Sequence, residues 1–568
     1  MNDTRDPEKH VAGQNVEHDS SASSHVEEGG RHAGQGHEHL TVKTALVYLA
    51  LCLQYAAQMF NVVGSGAFAR NIAAAIGGAD KVVWISQAIV IVTVVLGPPV
   101  SQASDYWGRK WFLVAGSIFG AVGALILARA DTMGQAIGGQ VISGVMYVGQ
   151  PLLIAVGSEI LPRRLRPSAQ AGLNATGGIG GIAGLLCGSA LTAHNLYGWR
   201  NYWYITVALT GVSAITIAAL YNPPPRPEQR HLTWRQKLSS LDWSGYALLA
   251  ASLVLFSMGL TWGNNPFSWT NAHVLAPLIV GIVIFVGFVA HQTFFKRDGL
   301  IHHDLFKKDR NFALALGCFL ADGMIFWQRT TTTPWRWESF LAGLHYCITF
   351  FAGIVAAIAI HFASKFTKRL REPIVMSFLL FMIFFALMSR ATLTSYNAVW
   401  GYPALLGFGF GWSLTLLITA AQMSAPAELI AITSGLMLAS RSLGGSVGLA
   451  IYTAIFNSSM SKHLGHDIAA AVLPAGLPPT SIEPFIGALM SQNQALLAQI
   501  PGVTPAVIGA GVHAMQGAYL KSFEVVWIAA AVFSGVTALV SCFFINPTKE
   551  FNDHIDAPLV VPTEPDEK

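Results

Sequence analysis

Residues 82–129 read VVWISQAIVIVTVVLGPPVSQASDYWGRKWFLVAGSIFGAVGALILAR. Two apolar runs, 82–101 and 111–129, flank a short hinge that holds Asp105, Gly108, Arg109 and Lys110. A helix needs about 20 apolar residues to cross a ~30 Å hydrocarbon core, and each run supplies about that many. No water is available in such a core, so every backbone N–H and C=O must be paired within the segment. Helices meet that demand and open strands do not. The stretch therefore reads as two membrane crossings joined by a tight, charged turn.

The same unit recurs. Further runs lie near 44–64, 135–158, 169–192 and 202–221, then near 243–263 and 273–295. The last six lie near 311–327, 340–363, 374–392, 398–420, 429–457 and 523–545. The expected fold class is all-α, a polytopic membrane protein of about fourteen transmembrane helices grouped as six, two and six. Composition agrees, because only 11% of the 568 residues are charged, against about a quarter in soluble chains. The expected organisation is a disordered tail at 1–42 and a first bundle at 43–221. A linker with two extra helices follows at 222–310, then a second bundle at 311–546 with an external loop at 458–522, and a tail at 547–568. Within that loop, Pro484–Ile500 reads as an amphipathic helix on the membrane or over the pore.

Loop charge sets the orientation. Connections 2–3, 4–5, 6–7, 8–9 and 10–11 carry 18 Lys and Arg, against 9 on the opposite side. The positive-inside rule then places both termini in the cytoplasm. A net charge of +4 is too small to imply a nucleic-acid partner. Five cysteines, all in apolar segments and without ligand spacing, point to neither metal nor disulfide. The six histidines of the tail (His10, His18, His25, His32, His37 and His39) are irregularly spaced and read as solvated. No phosphate-binding G-x-x-x-x-G-K-[ST] appears, so nucleotide-driven pumping is not expected. The spans hold no nucleophile–base constellation, so neither an enzyme nor a cofactor is expected.

Asp105, Gly108, Arg109 and Lys110 can form a charge-paired latch, closed in one packing of the bundle and released in another. Ser101–Lys110 resembles the loop 2–3 pattern G-x-L-A-D-R-x-G-R-K of the major facilitator superfamily, with Ser101 in place of the first glycine. Gly180, Gly184 and Gly188 on helix five resemble its antiporter signature G-x-x-x-G-P-x-x-G, with Leu185 where the proline belongs; small residues at this spacing also serve close packing. The helix count, with Asp242–Gly245, Gly259–Gly263, Ser268-Trp269 and Ser440–Gly448, is similar to the fourteen-helix drug:H+ antiporter branch. Within that branch it resembles the fungal trichothecene-efflux and siderophore-transporter group. The resemblance implies two six-helix bundles plus two linker helices, acting as a monomer in the plasma membrane. It further implies proton-coupled export of small amphipathic compounds, or alternatively import of ferric siderophores. Two departures matter: Gln328–Trp337 is polar and Thr-rich where the group's ninth helix continues as an apolar-aromatic stretch, and helix four lacks an expected arginine. Where drug exporters carry Arg in the helix-four pattern R-x-x-Q-G, this chain has Gln140, Ser143 and Gly144, so the proton-coupling group must lie elsewhere.

Charged groups inside spans are costly and are therefore functional candidates. Asp322 lies about eleven residues into the ninth run, roughly 16 Å deep at 1.5 Å per residue, and is the candidate proton carrier. Arg441 lies mid-run in the thirteenth and can pair with Asp322 or Glu428. Gln54, Gln58 and Asn61 form a polar stripe expected to face a cavity, and Asn174 adds a donor on helix five. Glu159 reads as a latch residue, and His345 and His361 as hydrogen-bonded bundle histidines.

Overall fold

The computed structural model describes residues 41–559, except 79–80, 193–196, 225–232, 264–266, 297–298, 301, 328–338, 393–394 and 491–493. The expected tail (up to Leu40), the polar stretch Gln328–Trp337 and residues 560–568 lie outside the described residues. Among the described residues the structure is all-α. Its long helices are α1 Val42–Ala67, α2 Val83–Trp107, α3 Lys110–Ala128, α4 Met133–Glu159, α5 Arg166–Thr192, α6 Gly198–Leu220 and α7 Trp243–Trp262. There follow α8 Ala272–Ala290, α9 Asn311–Trp327, α10 Ser339–Thr367, α11 Arg371–Ser389, α12 Tyr396–Ser424, α13 Ile430–Val472 and α14 Pro505–Ser541. Twelve are long and apolar enough to cross a membrane by length and composition. The other two are α9, which is short, and α13, whose Ser, Gly and Arg441 dilute its apolar run.

Local chemistry sets the helix ends. Thr41, Thr132 and Thr504 cap α1, α4 and α14 by accepting from the backbone N–H three residues on, the role for which short hydroxyl side chains are favoured. Gly108 ends α2 at φ +89°, a conformation that only glycine adopts without a Cβ penalty. Asp242 caps α7 through Gly245 N at 3.0 Å and also accepts from Gln292 and Lys296 after α8. Tyr246 donates to Gln102 of α2. Asp242 thus fastens the two linker helices to each other, and Tyr246 ties them to the first bundle.

The two bundles repeat one packing scheme. In the first, α1 packs on α5, α2 on α4 and α3 on α6; in the second, α9 packs on α13, α10 on α12 and α11 on α14. Between them α2 meets α13 and α5 meets α10, so the two contacts are images of each other. Outward faces carry exposed apolar side chains such as Ile215, Val283 and Leu539, as lipid contact requires. Both described ends share one face, where Lys43 Nζ donates to Leu559 O at 3.4 Å; it is called the terminal face below.

The opposite face departs from expectation. The thirteenth helix continues past residue 457 to Val472, and the fourteenth starts at Pro505 rather than near 523. Much of the expected loop is therefore helix. At 43 and 37 residues the two helices reach about 64 and 55 Å at 1.5 Å per residue, well beyond a hydrocarbon core. Hydropathy marks only their lipid-embedded parts. Ion pairing of Lys521 with Asp467 at 2.9 Å and a separate apolar core of Ile468, Val472, Phe485, Leu497, Val507 and Met515 hold the extensions together. The helix expected at Pro484–Ile500 divides into Ile482–Met490 and Gln494–Gln499. Phe485 and Leu497 bury into this cap core instead of lying on a membrane.

Candidate functional site

The turn between α2 and α3 forms an ion-pair cluster. Arg109 binds Asp105 at 3.0 Å and also pairs with Glu159 at the end of α4; Arg109 and Glu159 are almost fully buried. All three residues belong to the first bundle, so the latch fixes α2, α3 and α4 to one another. Lys110 stands outside it, contrary to expectation. As the first residue of α3 it is turned about 100° from Arg109 and donates instead to Asn222 Oδ1 at 2.6 Å. Within the motif, Ser101 reaches the other bundle. A Cβ on Gly435 of α13 would lie 2.6 Å from Ser101 Oγ, so a missing side chain on α13 accommodates the serine that stands at the glycine position of the motif.

Deep in the second bundle, Asp322 of α9 and Arg441 of α13 meet. Arg441 Nε donates to Asp322 Oδ2 at 2.8 Å, and Ser413 Oγ of α12 donates to Oδ1 at 2.5 Å. Asp322 is fully buried, whereas the Arg441 side chain keeps 20% exposure. Its guanidinium lies 5.6 Å from the Phe319 ring and 5.2 Å from the Phe410 ring, where the ring faces attract a cation. Sequence pointed to both charges. Ser413 gave no signal, being one hydroxyl in an apolar run.

The amide stripe of α1 turns into its own bundle rather than to a cavity. Gln54 Nε2 donates to Leu113 O at 3.1 Å and Ser117 Oγ at 2.8 Å, both on α3. Gln58 donates to Met146 O at 3.0 Å and Asn61 to Ser143 Oγ at 2.7 Å, both on α4. All three side chains are fully buried. Lipid cannot bond an amide, but a neighbouring helix with a carbonyl or serine can; the amide N–H groups are met in this way, while the side-chain oxygens of Gln54, Gln58 and Asn61 are buried without a hydrogen-bond partner. Helix α5 supplies close approach. A Cβ on Gly180 would overlap the Ala56 carbonyl oxygen, on Gly184 it would meet Tyr202 and Phe60, and on Gly188 the Phe68 ring.

Across the bundles, polar contacts close the terminal face. Ser158 of α4 donates to Gln422 Oε1 of α12 at 2.7 Å and accepts from Gln170 of α5 at 2.6 Å. Gln422 passes the chain on to Ser434 of α13 at 2.9 Å. Arg166 donates to Gln422 O at 3.0 Å. His361 of α10 and Ser168 of α5 are 2.5 Å apart, and Asn174 donates to Thr415 of α12 at 3.2 Å. His345 stays within the second bundle, 3.0 Å from Val399 O. Sequence reading found Asn174 and the histidines but missed Ser158, Gln170 and Gln422. Their only signal is an isolated polar residue near the end of an apolar run.

Comparison with known proteins agrees with this architecture. Residues 47–449 match the model of the Major Facilitator Superfamily. The chain is 26% identical to the MFS-type transporter ucsD of an Acremonium species, over 75% of this chain and 72% of that one. It is 25% identical to the efflux pump FUS6 of Gibberella fujikuroi, over 84% of each, and 24% identical to the MFS-type efflux pump MFS1 of Arthroderma benhamiae, over 75% of this chain and 80% of that one. Among solved structures, the proton:xylose symporter XylE superposes with a TM-score of 0.51 at 9% identity, covering 87% of this chain and 96% of that one, a likeness of fold alone. Repeated bundles, a closed terminal face and a match across most of its length make this chain a transporter of the Major Facilitator Superfamily.

Proposed function

We propose that this transporter exports small amphipathic compounds across the plasma membrane in exchange for protons, working as a monomer with its terminal face in the cytoplasm. The observation that carries the reading is the Asp322–Arg441 pair. A carboxylate and a guanidinium held in apolar spans are costly, and the α9–α13 packing does not require them. Asp322 serves as the proton-carrying group: protonation would weaken its hold on Arg441, whose partly exposed guanidinium and flanking Phe319 and Phe410 rings would then meet substrate. The excess of basic loops on the terminal face supports the orientation. Export rather than siderophore import is supported by relatives named as efflux pumps. Gln54, Gln58 and Asn61 take packing roles in this reading.

Flux of candidate toxins, drugs and ferric siderophores into and out of proteoliposomes, under an imposed pH gradient, tests it. Accumulation should follow the gradient and collapse with it. If flux persists unchanged when the gradient is dissipated, proton coupling is wrong; if only ferric siderophores move, export of amphipathic compounds is wrong.

A further inference from the structure

The arginines of the α4–α5 turn carry more than loop charge. After α14 the chain is first fixed to its own bundle. Asn311 at the start of α9 exchanges two 2.8 Å hydrogen bonds with the backbone of Ile545. Asn546 Oδ1 accepts from the backbone N–H groups of Leu370 and Arg371 at 2.8 and 2.9 Å. Phe544 and Phe551 bury into the second bundle's core.

From Glu550 the chain crosses over. Glu550 is shared between Lys308, before α9, at 2.7 Å and Arg163, after α4, at 3.0 Å. Beyond it, most partners belong to the first bundle. Arg164 N and Arg163 N donate to Asn552 O and His554 O at 2.9 and 3.0 Å, and Ala557 N donates to Glu159 O at 3.1 Å. Asp556, with its side chain only 2% exposed, binds Arg163 at 2.7 Å and pairs with Arg166. Leu559 buries in the first bundle's core with Leu113 and Leu152.

We propose that residues 550–559 form a strap that holds the terminal face closed, with Asp556 as its lock. Phe551 anchors the strap in one bundle and Leu559 in the other, so eight residues bridge them, at most about 29 Å when fully extended. Separating the bundles takes up that slack and must strip Asp556 and the backbone pairs from the α4–α5 turn. The lock also positions a cross-bundle contact, because Arg166 spans Asp556 and Gln422 O of α12. Without the carboxylate, Arg163 and the buried Arg166 lose their shared counter-charge, and an unpaired buried charge favours a more open, hydrated arrangement. Asp556 thus biases the equilibrium on which alternating access depends.

Spin labels at Asn222→Cys and Arg369→Cys, both exposed on the terminal face and on opposite bundles, read this equilibrium in the full-length protein, with exposed Cys542 replaced by serine. The parent should give mainly the short distance. Asp556→Asn, and separately a chain ending at Pro547, should each raise the long-distance population by about tenfold. Asp553→Asn, which breaks only the exposed pair with Arg164, should match the parent. A parent-like distribution in Asp556→Asn or in the shortened chain overturns the proposal, as does equal opening in Asp553→Asn. If Asp556→Asn does not fold, the shortened chain decides.

Discussion

Helices α1 and α9 fill the same place in their bundles with different chemistry. A Cβ on Gly180 of α5 would overlap the Ala56 carbonyl oxygen of α1, and one on Gly444 of α13 would overlap that of Leu320 of α9. Gly184 meets Phe60 as Gly448 meets Met324, at the same sequence separation. This register sets Gln58 against Asp322, Tyr55 against Phe319 and Gly177 against Arg441. The first bundle uses a neutral amide and a glycine where the second uses an acid and an arginine. Close helix crossing is therefore attainable without charge, and the second bundle carries an ion pair that its packing does not need. The asymmetry supports the role proposed for Asp322.

Erasing the asymmetry should have the largest effect. Asp322→Asn gives α9 the amide chemistry of Gln58 but leaves Arg441 without its counter-charge. Removing one partner of a buried pair costs about 3–5 kcal/mol, and gradient-driven flux in proteoliposomes should fall at least about a hundredfold. Asp322→Asn/Arg441→Gln should recover the melting temperature but not gradient-driven transport. Normal flux with a normal pH dependence in the single variant would remove Asp322 as proton carrier, and the comparison would then describe packing alone.

The shared part of the comparison predicts a smaller, symmetric effect. Gly180→Ala and Gly444→Ala each push a methyl into a backbone carbonyl, so each should cost about 1–3 kcal/mol, read as a loss of thermal stability in the purified protein. Similar penalties sharpen the equivalence of α5 and α13. A cost confined to one of them breaks it.

How much of this was legible depends on what each feature asks of the sequence. Apolar runs must be long to span a bilayer, so the helices could be read, including short α9, which is not among the twelve long and apolar enough to cross. Charges in spans are rare because they are expensive, so Asp322 and Arg441 stood out, with the partner of Arg441 open between Asp322 and Glu428 until the fold paired it with Asp322. The amide stripe was visible but the partners of its N–H groups were not, since the carbonyls and serines of α3 and α4 that accept from them leave no mark in the sequence. The internal repeat was hidden because a close crossing constrains only a few small residues, here Gly180 and Gly184 against Gly444 and Gly448. The strap was invisible for another reason: Glu550, Asp553 and Asp556 look like a solvated acidic tail until the fold brings Arg163, Arg164 and Arg166 beneath them.

Gln58→Leu tests the neutral half directly. It removes the bond to Met146 O and leaves that carbonyl with one partner fewer, for about 1–2 kcal/mol of stability. The pH dependence of flux should not change. A changed pH dependence would mean that the first bundle shares in coupling, and the contrast between α1 and α9 would be one of degree.

The smallest response is expected where an acid is locked rather than working. Burial pushes the Asp556 carboxyl up, but the Arg163 hydrogen bonds and the Arg166 and Arg163 charges outweigh it and hold the group below the ordinary carboxylate range. A folded value below the unfolded one, about 3.9, means the interaction is fully present above that unfolded value and is lost only as pH falls through the lower folded one. Between about pH 5.5 and 7.5 the strap should therefore stay closed by the spin-label distance. Opening as pH falls within that window would remove Asp556 as the lock, because the carboxylate held by Arg163 and Arg166 stays charged there.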